Sequence, residues 1–138
     1  MDHKIAIDKV IEQFFSVFDN RHNKQPDTQL FNALFVSQGI IIKHEADHYQ
    51  HFTPQQFIEP RVVLLTDGRL VDFHEYEVYE KTDIIGNIAQ RKCSYRKKGQ
   101  LDGQPFDAIG SKIFQLINDK SQWKICSMIW DDSVSLIP

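Results

Sequence analysis

The sequence predicts an α+β domain, with helices in its first half and a mostly antiparallel sheet in its second half. In the first half, isoleucine and phenylalanine recur at helical spacing. From Leu70 onward, four strand-like segments are separated by short turn sequences, which is typical of consecutive antiparallel strands. The 138 residues suffice for one domain with its own core, so residues 1–138 are interpreted as a single domain.

The first predicted helix runs from Ile5 to about Asp19. Its apolar residues share one face: Ile7, Val10, Ile11, Phe14, Phe15 and Phe18. So many large side chains on one face imply a broad apolar partner, such as the concave side of a sheet. The polar segment 20–26 ends this helix, and Asp27 can cap a second, shorter one.

A strand and a third helix are predicted next. The strand covers Gly39 to Glu45 and is rich in isoleucine. Thr53, Pro54 and Gln56 then form a helix start, because the threonine hydroxyl and the glutamine can make a capping box around a first-turn proline. Pro60 lies inside this helix and predicts a break or kink just before it.

The last part of the chain is predicted to be an antiparallel meander. Its strands cover Leu70 to Thr82, Ile88 to Arg96, Phe106 to Ile117, and Trp123 to Asp131. Side chains alternate between the two faces of a strand, and the odd-numbered positions of the last two strands place isoleucines on one face. This face is therefore predicted to be core. Its isoleucines are Ile109, Ile113, Ile117, Ile125 and Ile129.

Composition bounds the classes of function. A net charge of −3 gives no bulk electrostatic reason to bind nucleic acid or an anionic membrane. No segment approaches the roughly 18 consecutive apolar residues of a membrane span. The N-terminus leads into an amphipathic pattern and not into a signal-peptide core, so a cytoplasmic protein is expected. The basic run 96–98 precedes Gly99 and is interpreted as a solvated loop.

Cofactors and metals have little support in the sequence. Cys93 and Cys126 are too few for a disulfide framework and are interpreted as reduced packing residues. His44, His48 and His51 lie close together, but nothing fixes three ligands in tetrahedral geometry, so no metal is expected. There is no dinucleotide-binding glycine motif, P-loop or nucleophile elbow, and hence no cofactor is expected.

The order of elements and three segments resemble the nuclear transport factor 2-like superfamily and, within it, the SnoaL-like proteins. The segments are Phe73–Glu77, Gly86–Arg91 and Trp123–Asp132, and the resemblance extends from about Ile5 to Asp132. It implies a cone-shaped half-barrel, in which a strongly curved sheet wraps a long N-terminal helix and leaves a pocket at the open end. Members commonly dimerise through the outer sheet face. Some are isomerases, cyclases, dehydratases or hydrolases, and others are non-catalytic, so the fold alone does not decide the function.

Arg91 is the first candidate site residue. It shares the less polar face of its strand with Tyr95, and a turn near residues 83–85 would bring Glu77 and Glu75 of the preceding strand beside it. Two carboxylates would orient the guanidinium toward a ligand, a remaining carboxylate could act as a base, and the Tyr95 hydroxyl could donate to an oxyanion. The alternatives are a structural ion-pair cluster, a solvated outer face and a structurally bonded tyrosine.

Two further groups complete the catalytic candidates. Asp131 ends the last strand at the predicted pocket mouth, where burial would raise its pKa, and it is the preferred base. His44 ends an earlier strand and is a candidate general acid or base. A solvated strand end and a surface histidine are the alternatives.

Aromatic side chains are the candidates for binding an apolar ligand: Phe14, Phe18, Phe57, Tyr76 and Trp130. At this helical or strand spacing, aromatic residues can equally fill the core.

The leading hypothesis is a domain that binds a small organic ligand inside the cone, as a homodimer. If it is catalytic, cofactor-free proton transfer on a carbonyl compound fits best, as in isomerisation, cyclisation or dehydration. The alternative is a non-catalytic binding or dimerisation module.

Overall fold

A six-stranded, curved and unclosed sheet holds the first helix on its inner face in this computed structural model, which describes residues 2–132. The helices are α1 (His3–Ser16), α2 (Thr28–Ala33) and α3 (Pro54–Thr66), with a short 3₁₀ turn at Arg21–Asn23. The strands are β1 (Phe35–Glu45), β2 (His48–Phe52), β3 (Leu70–Ile85), β4 (Ile88–Leu101), β5 (Gln104–Asp119) and β6 (Gln122–Asp131). The predicted α+β half-barrel is confirmed.

The strand order is β2-β1-β6-β5-β4-β3. Strands β3 to β6 form the predicted antiparallel meander. Strand β1 pairs in parallel with β6, and the hairpin formed by β1 and β2 extends that edge. The segment 48–52, for which the sequence predicts no strand, is therefore an edge strand.

The helix starts follow the predicted caps. The Asp27 carboxylate accepts a hydrogen bond from the Leu30 backbone at 2.9 Å. Thr53 and Gln56 form a complete capping box, with hydrogen bonds of 3.1 and 3.0 Å. Helix α3 continues through Pro60 to Thr66, so a break there is wrong, and a kink, which the sequence left as the alternative, stays a prediction. Within residues 2–132, no helix has the length and apolar character needed to cross a membrane.

An aromatic cluster forms the core between α1 and the sheet. Phe14 is its centre, and its ring centroid lies 5.2–6.4 Å from those of five other phenylalanines: Phe15, Phe18, Phe31, Phe35 and Phe114. Most of these pairs have the edge-to-face arrangement that aromatic quadrupoles favour. The broad apolar face of α1 thus packs against the concave side of the sheet, as its spacing predicts.

A single amide fixes the exit of α1. The Asn20 side chain donates to the carbonyl oxygens of Leu65 and Leu70, at 3.0 and 2.7 Å, and accepts from the Phe73 backbone at 2.8 Å. Asn20 is buried, so all three bonds are made away from water. They join the end of α3 and the start of β3 to the end of α1.

The register of the β3–β4 hairpin differs from the prediction. The turn lies at Gly86-Asn87, with Ile85 opposite Ile88, because β3 continues beyond Thr82 to Ile85 whereas β4 begins at Ile88 as predicted. Glu77 is therefore opposite Tyr95 instead of Arg91. A bulge between Glu77 and Tyr79 moves the inward-facing parity of β3 from odd to even positions, which a sequence pattern does not reveal.

The isoleucine face of β5 is on the outside, so its assignment to the core is wrong. Its exposed members are Ile109, Ile113, Ile117 and, on β6, Ile129. The register of β5 and β6 shifts after Gln115, and Cys126 is the extra residue. Ile125 is buried on one side of this bulge, whereas Ile129 is exposed on the other, although both have the same parity.

Candidate functional site

A cavity of about 330 Å³ lies between α1, α3 and the concave face of the sheet. Its walls are mostly aromatic and aliphatic: Phe14, Phe18, Phe57, Leu64, Leu65, Leu70, Phe73, Leu101, Phe106 and Trp130. Six charged side chains interrupt them: Lys43, Arg61, Glu75, Lys97, Lys112 and Asp132. A mostly apolar concave pocket with a few convergent polar groups is the usual form of a small-molecule site.

Lys112 is the most deeply buried of these charges. Its side chain is 5% exposed, and its ammonium lies 3.6 Å from the Glu75 carboxylate, which is 10% exposed. The same nitrogen is 3.8 Å from the centre of the Tyr95 ring and 5.2 Å from that of Trp130. Burial lowers the pKa of Lys112, and the negative charges of Glu75 and Asp132 partly oppose that shift.

Tyr95 and Asp132 form a second polar pair beside Lys112. The Tyr95 hydroxyl donates to the Asp132 carboxylate, and Lys97 lies 3.2 Å from the same carboxylate. Burial raises the pKa of Tyr95, and Asp132 raises it further, so the phenol stays protonated. Burial also favours neutral Asp132, but the Tyr95 hydrogen bond and the charges of Lys97 and Lys112 outweigh it and lower the pKa of Asp132.

Gly110 makes room for the Tyr95 ring. The two residues are opposite each other on β4 and β5. A Cβ atom at Gly110 would lie 2.7 Å from the ring carbon that bears the hydroxyl and 2.9 Å from the Asp132 backbone. Any larger residue at 110 would therefore displace the Tyr95–Asp132 pair.

Arg61 projects from α3. Its guanidinium carbon lies 3.7 Å from the centre of the Phe57 ring, and its Nη1 atom donates to the Phe57 carbonyl oxygen at 3.0 Å. The same group is 5.7 Å from the centre of the Trp130 ring. Burial lowers the pKa of Arg61, although Glu75 and Asp132 partly oppose that shift.

Comparisons with known proteins identify the fold. No protein-family model and no curated protein match the sequence, but 248 chains of solved structures do. A nuclear transport factor 2-like superfamily protein from Salmonella enterica serovar Typhimurium is 14% identical, with a TM-score of 0.75 over 96% of this chain and 92% of that chain.

The chain has the nuclear transport factor 2-like fold.

Two other solved structures with this fold carry provisional enzyme names. A provisionally assigned ketosteroid isomerase from Shewanella frigidimarina is 15% identical, with a TM-score of 0.69 over 91% of this chain and 94% of that chain. A provisionally assigned scytalone dehydratase from Novosphingobium aromaticivorans is 11% identical, with a TM-score of 0.71 over 95% of this chain and 84% of that chain. At such identities the likeness shows the fold alone.

Within the nuclear transport factor 2-like fold, Arg91 lies outside the cavity lining. Its side chain is 3% exposed and is held by Glu77 at 2.5 and 3.0 Å, Asp8 at 2.5 Å and Thr82 at 3.2 Å. Glu80 lies 3.7 Å away. The predicted contact with Glu77 is present, but these partners surround the guanidinium under α1 and direct it away from the cavity. Of the three interpretations of Arg91, the geometry favours the structural ion-pair cluster over a ligand contact and over a solvated outer face.

Five other candidates are not part of the cavity lining: His44, Tyr76, Glu77, Tyr95 and Asp131. Asp131 and His44 are neighbours at the ends of β6 and β1, with an Oδ2 to Nδ1 distance of 3.4 Å. Asp132, one residue later, is the carboxylate that enters the cavity. Tyr76 stacks on His74, with ring centroids 5.2 Å apart, and is not part of the lining. In residues 2–132, no group of three or more His, Cys, Asp or Glu side chains could hold a metal ion.

Five predicted residues do line the cavity: Phe14, Phe18, Phe57, Glu75 and Trp130. Sequence analysis missed Lys112, Arg61 and Lys97. Lys97 was assigned to a solvated loop, but β4 continues to Leu101 and turns its side chain inward. Lys112 lies on the same face of β5 as Phe114 and Leu116, because the three positions alternate along the strand. Both apolar residues are buried, so their spacing was the sequence signal that Lys112 also faces inward.

We expect Arg91→Met to destabilise the fold by about 3 kcal/mol, because it leaves the Glu77 carboxylate buried without its partner. Urea unfolding measures this change. The control is Arg96→Met, which removes an exposed guanidinium paired with Asp107 and should change the free energy of unfolding by less than about 0.5 kcal/mol. Equal stability of the two variants would contradict a structural role of Arg91.

Acid should weaken this cluster. Burial alone would raise the pKa values of Asp8 and Glu80, but hydrogen bonds from Arg91 and Lys4 to Asp8, and from Lys4 and Thr82 to Glu80, lower them below their usual 3.8 and 4.5. Since the unfolded chain then binds protons more readily, this stabilisation is complete above those values. It is lost as the pH falls through the lower folded-state values.

Urea unfolding between about pH 6 and about pH 3 tests this dependence in the wild type and in Lys4→Met. The variant should lose less stability on acidification, because Lys4 lies 2.7 Å from both Asp8 and Glu80. Lys9→Met, at an exposed position on the same helix, should behave as the wild type. If the free energy of unfolding falls equally with pH in the wild type and in Lys4→Met, Lys4 does not lower the pKa values of Asp8 and Glu80.

Proposed function

We propose that the cavity binds a small organic molecule and catalyses cofactor-free proton transfer at a carbonyl group. The observation that carries this proposal is the pairing of the Glu75 carboxylate with the Lys112 ammonium at 3.6 Å inside an aromatic cavity. A base and a proton donor are then available in one water-poor site, where charges act more strongly than in solution.

The reaction follows from the two groups. Glu75 takes a proton from the carbon next to the carbonyl. The electron pair of the broken C–H bond forms a C=C bond, and the carbonyl becomes an enolate. Lys112 donates a hydrogen bond or its proton to the enolate oxygen. Burial lowers the pKa of Lys112, which makes the ammonium a stronger proton donor. In a β,γ-unsaturated carbonyl compound, return of this proton from Glu75 to the γ-carbon gives isomerisation. In a β-hydroxy carbonyl compound, Glu75 returns the proton to the β-hydroxyl, which leaves as water while the enolate electron pair forms the new C=C bond and the carbonyl is restored.

Tyr95 holds Lys112 in position beside Glu75. Its hydroxyl is directed to Asp132, so we assign it a positioning role in place of direct donation to the substrate. The ring lies against the Lys112 ammonium at 3.8 Å and stabilises its positive charge near Glu75. Asp132, the residue after the predicted base Asp131, is the carboxylate of this pair. The fold shared with proteins named as an isomerase and a dehydratase agrees with this chemistry, but sequence identities of 11–15% make that support one of fold only.

Hydrogen–deuterium exchange tests the proposal. We expect the protein to accelerate exchange of the methyl ketone protons of levulinate or para-acetylbenzoate in heavy water, followed by proton NMR. Glu75→Gln should slow this exchange at least about a hundredfold, because it removes the base and keeps its shape. Asp107→Asn makes the same change at an exposed site and should have no effect. No acceleration by the wild type, or full activity of Glu75→Gln, would rule out this mechanism.

Our second proposal is that the protein forms a homodimer. This proposal is compatible both with a catalytic role and with a non-catalytic binding role. Four isoleucines on the convex face of β5 and β6 are 37–45% exposed: Ile109, Ile113, Ile117 and Ile129. Ile113 and Ile129 are directly opposite each other, so the patch is continuous across the two strands. An apolar patch of this kind supports association with a second copy. The cytoplasmic location expected from the sequence stays a prediction.

Ile113→Lys should convert a dimer to a monomer, because it places a charge in the middle of the patch. Sedimentation velocity measures the mass of wild type and variant. Gln29→Lys adds the same charge at an exposed position of α2 and should leave the association unchanged. A monomeric wild type would reject the dimer.

A further inference from the structure

Arg61 differs from the other cations of the cavity in its partners. Lys97 lies 3.2 Å from Asp132, Lys112 lies 3.6 Å from Glu75, and Lys43 lies 3.3 Å from Glu45. For the Arg61 guanidinium, no carboxylate of residues 2–132 lies within ion-pair distance. A guanidinium in a mostly apolar wall is therefore left without a negative partner in the described part of the chain.

The orientation of Arg61 is nevertheless fixed. Its guanidinium stacks on the Phe57 ring at 3.7 Å, and one N–H group is used by the Phe57 carbonyl oxygen at 3.0 Å. A guanidinium has five N–H donors, and most of them stay available. A planar group that is already immobilised loses little entropy when it binds a carboxylate through two parallel hydrogen bonds.

The charge balance of the cavity agrees with an anionic ligand. Four cationic side chains face two carboxylates among the lining residues, and Glu45 pairs with Lys43 from outside the lining, so one positive charge stays without a counterpart. Burial lowers the pKa of Arg61, and the charges of Glu75 and Asp132 oppose that shift only in part. A bound carboxylate would supply the missing negative charge.

Arg61 and the proposed reaction centre border the same indole ring. The Arg61 guanidinium carbon and the Lys112 nitrogen lie 5.7 and 5.2 Å from the centre of the Trp130 ring. A molecule lying along Trp130 could place a carboxylate at Arg61 while its carbonyl oxygen contacts Lys112. The aromatic walls would contact the part between these two groups.

We infer that Arg61 binds a carboxylate of the ligand, so that the substrates of this site are small carbonyl compounds that also carry a carboxylate. This inference rests on the proposed function, because it adds a specificity-determining residue to the same cavity. It makes Arg61 a binding residue and gives it no part in the proton transfer.

Matched probes separate the carboxylate from the carbonyl. Para-acetylbenzoate and para-acetylbenzamide share the aromatic ring and the methyl ketone and differ in charge. Levulinate and levulinamide form a second pair, which shares the methyl ketone and differs in charge. Isothermal titration and thermal shift of the wild-type protein should show binding of each acid at least about tenfold tighter than of its amide, since a charge-assisted bond is lost. Equal affinity for acid and amide would overturn the inference.

Variants assign the effect to Arg61. Arg61→Met should reduce affinity for the acids at least about tenfold and leave affinity for the amides unchanged, whereas Arg61→Lys should recover part of the loss. Arg21→Met, which removes an exposed arginine paired with Asp19, should bind as the wild type. Unchanged binding of the acids by Arg61→Met would overturn the assignment even if the acids are preferred.

The result also separates this inference from the proposed function. Binding and proton exchange of both amides and acids, without preference, would keep the proton-transfer site and reject the role of Arg61. Absence of binding by all four probes would reject both. If Arg61→Met fails to fold by circular dichroism, the comparison of acids with amides on the wild-type protein still decides the class of ligand.

Discussion

The buried guanidinium of Arg91 is the interaction on which the arrangement of this fold depends. It joins Asp8 of α1 to Glu77 of β3, from its own position on β4. A charge this deeply buried is tolerated only when its hydrogen bonds are satisfied, so α1 has to stay against these two strands. The cluster contacts the N-terminal half of α1, whereas Phe14, nearer its other end, lines the cavity. The ion pairs thus hold the N-terminal half of α1, and the cavity lies toward its other end.

The cavity combines two physical features that normally oppose each other. Its walls are largely aromatic and aliphatic, yet Glu75 and Lys112 are nearly buried within them. Such charges are costly in an apolar environment unless they are paired, and each compensates the other here. The same desolvation that destabilises them increases their effect on a bound molecule. This pairing is why we assign the chemistry to these two residues and not to Asp131, which is half-buried outside the cavity lining.

Local features were predictable from the sequence, and long-range ones were not. The caps at Asp27 and Thr53 depend on residues three positions apart, so a pattern reveals them. The strand faces depend on bulges, and the extra residue Cys126 reverses the inward parity along β6. This bulge separates buried Ile125 from exposed Ile129, whereas the exposed isoleucines of β5 were assigned to the core because they share a parity with Ile125. Lys112 was missed because a lysine at an alternating position is usually a sign of a solvent-facing side.

The three hydrogen bonds of Asn20 have a consequence for ligand exchange. They tie together the backbone segments that carry Leu65, Leu70 and Phe73, all of which line the cavity. This wall can only move as one piece, because shifting any segment alone would strand a buried amide group. Widening of the entrance is therefore cheapest on the side of Lys43 and Lys97, where partly exposed ion pairs with Asp132 can open to water one at a time. A molecule would therefore enter and leave the cavity between the charged side chains of Lys43, Lys97 and Asp132, opposite the rigid apolar wall.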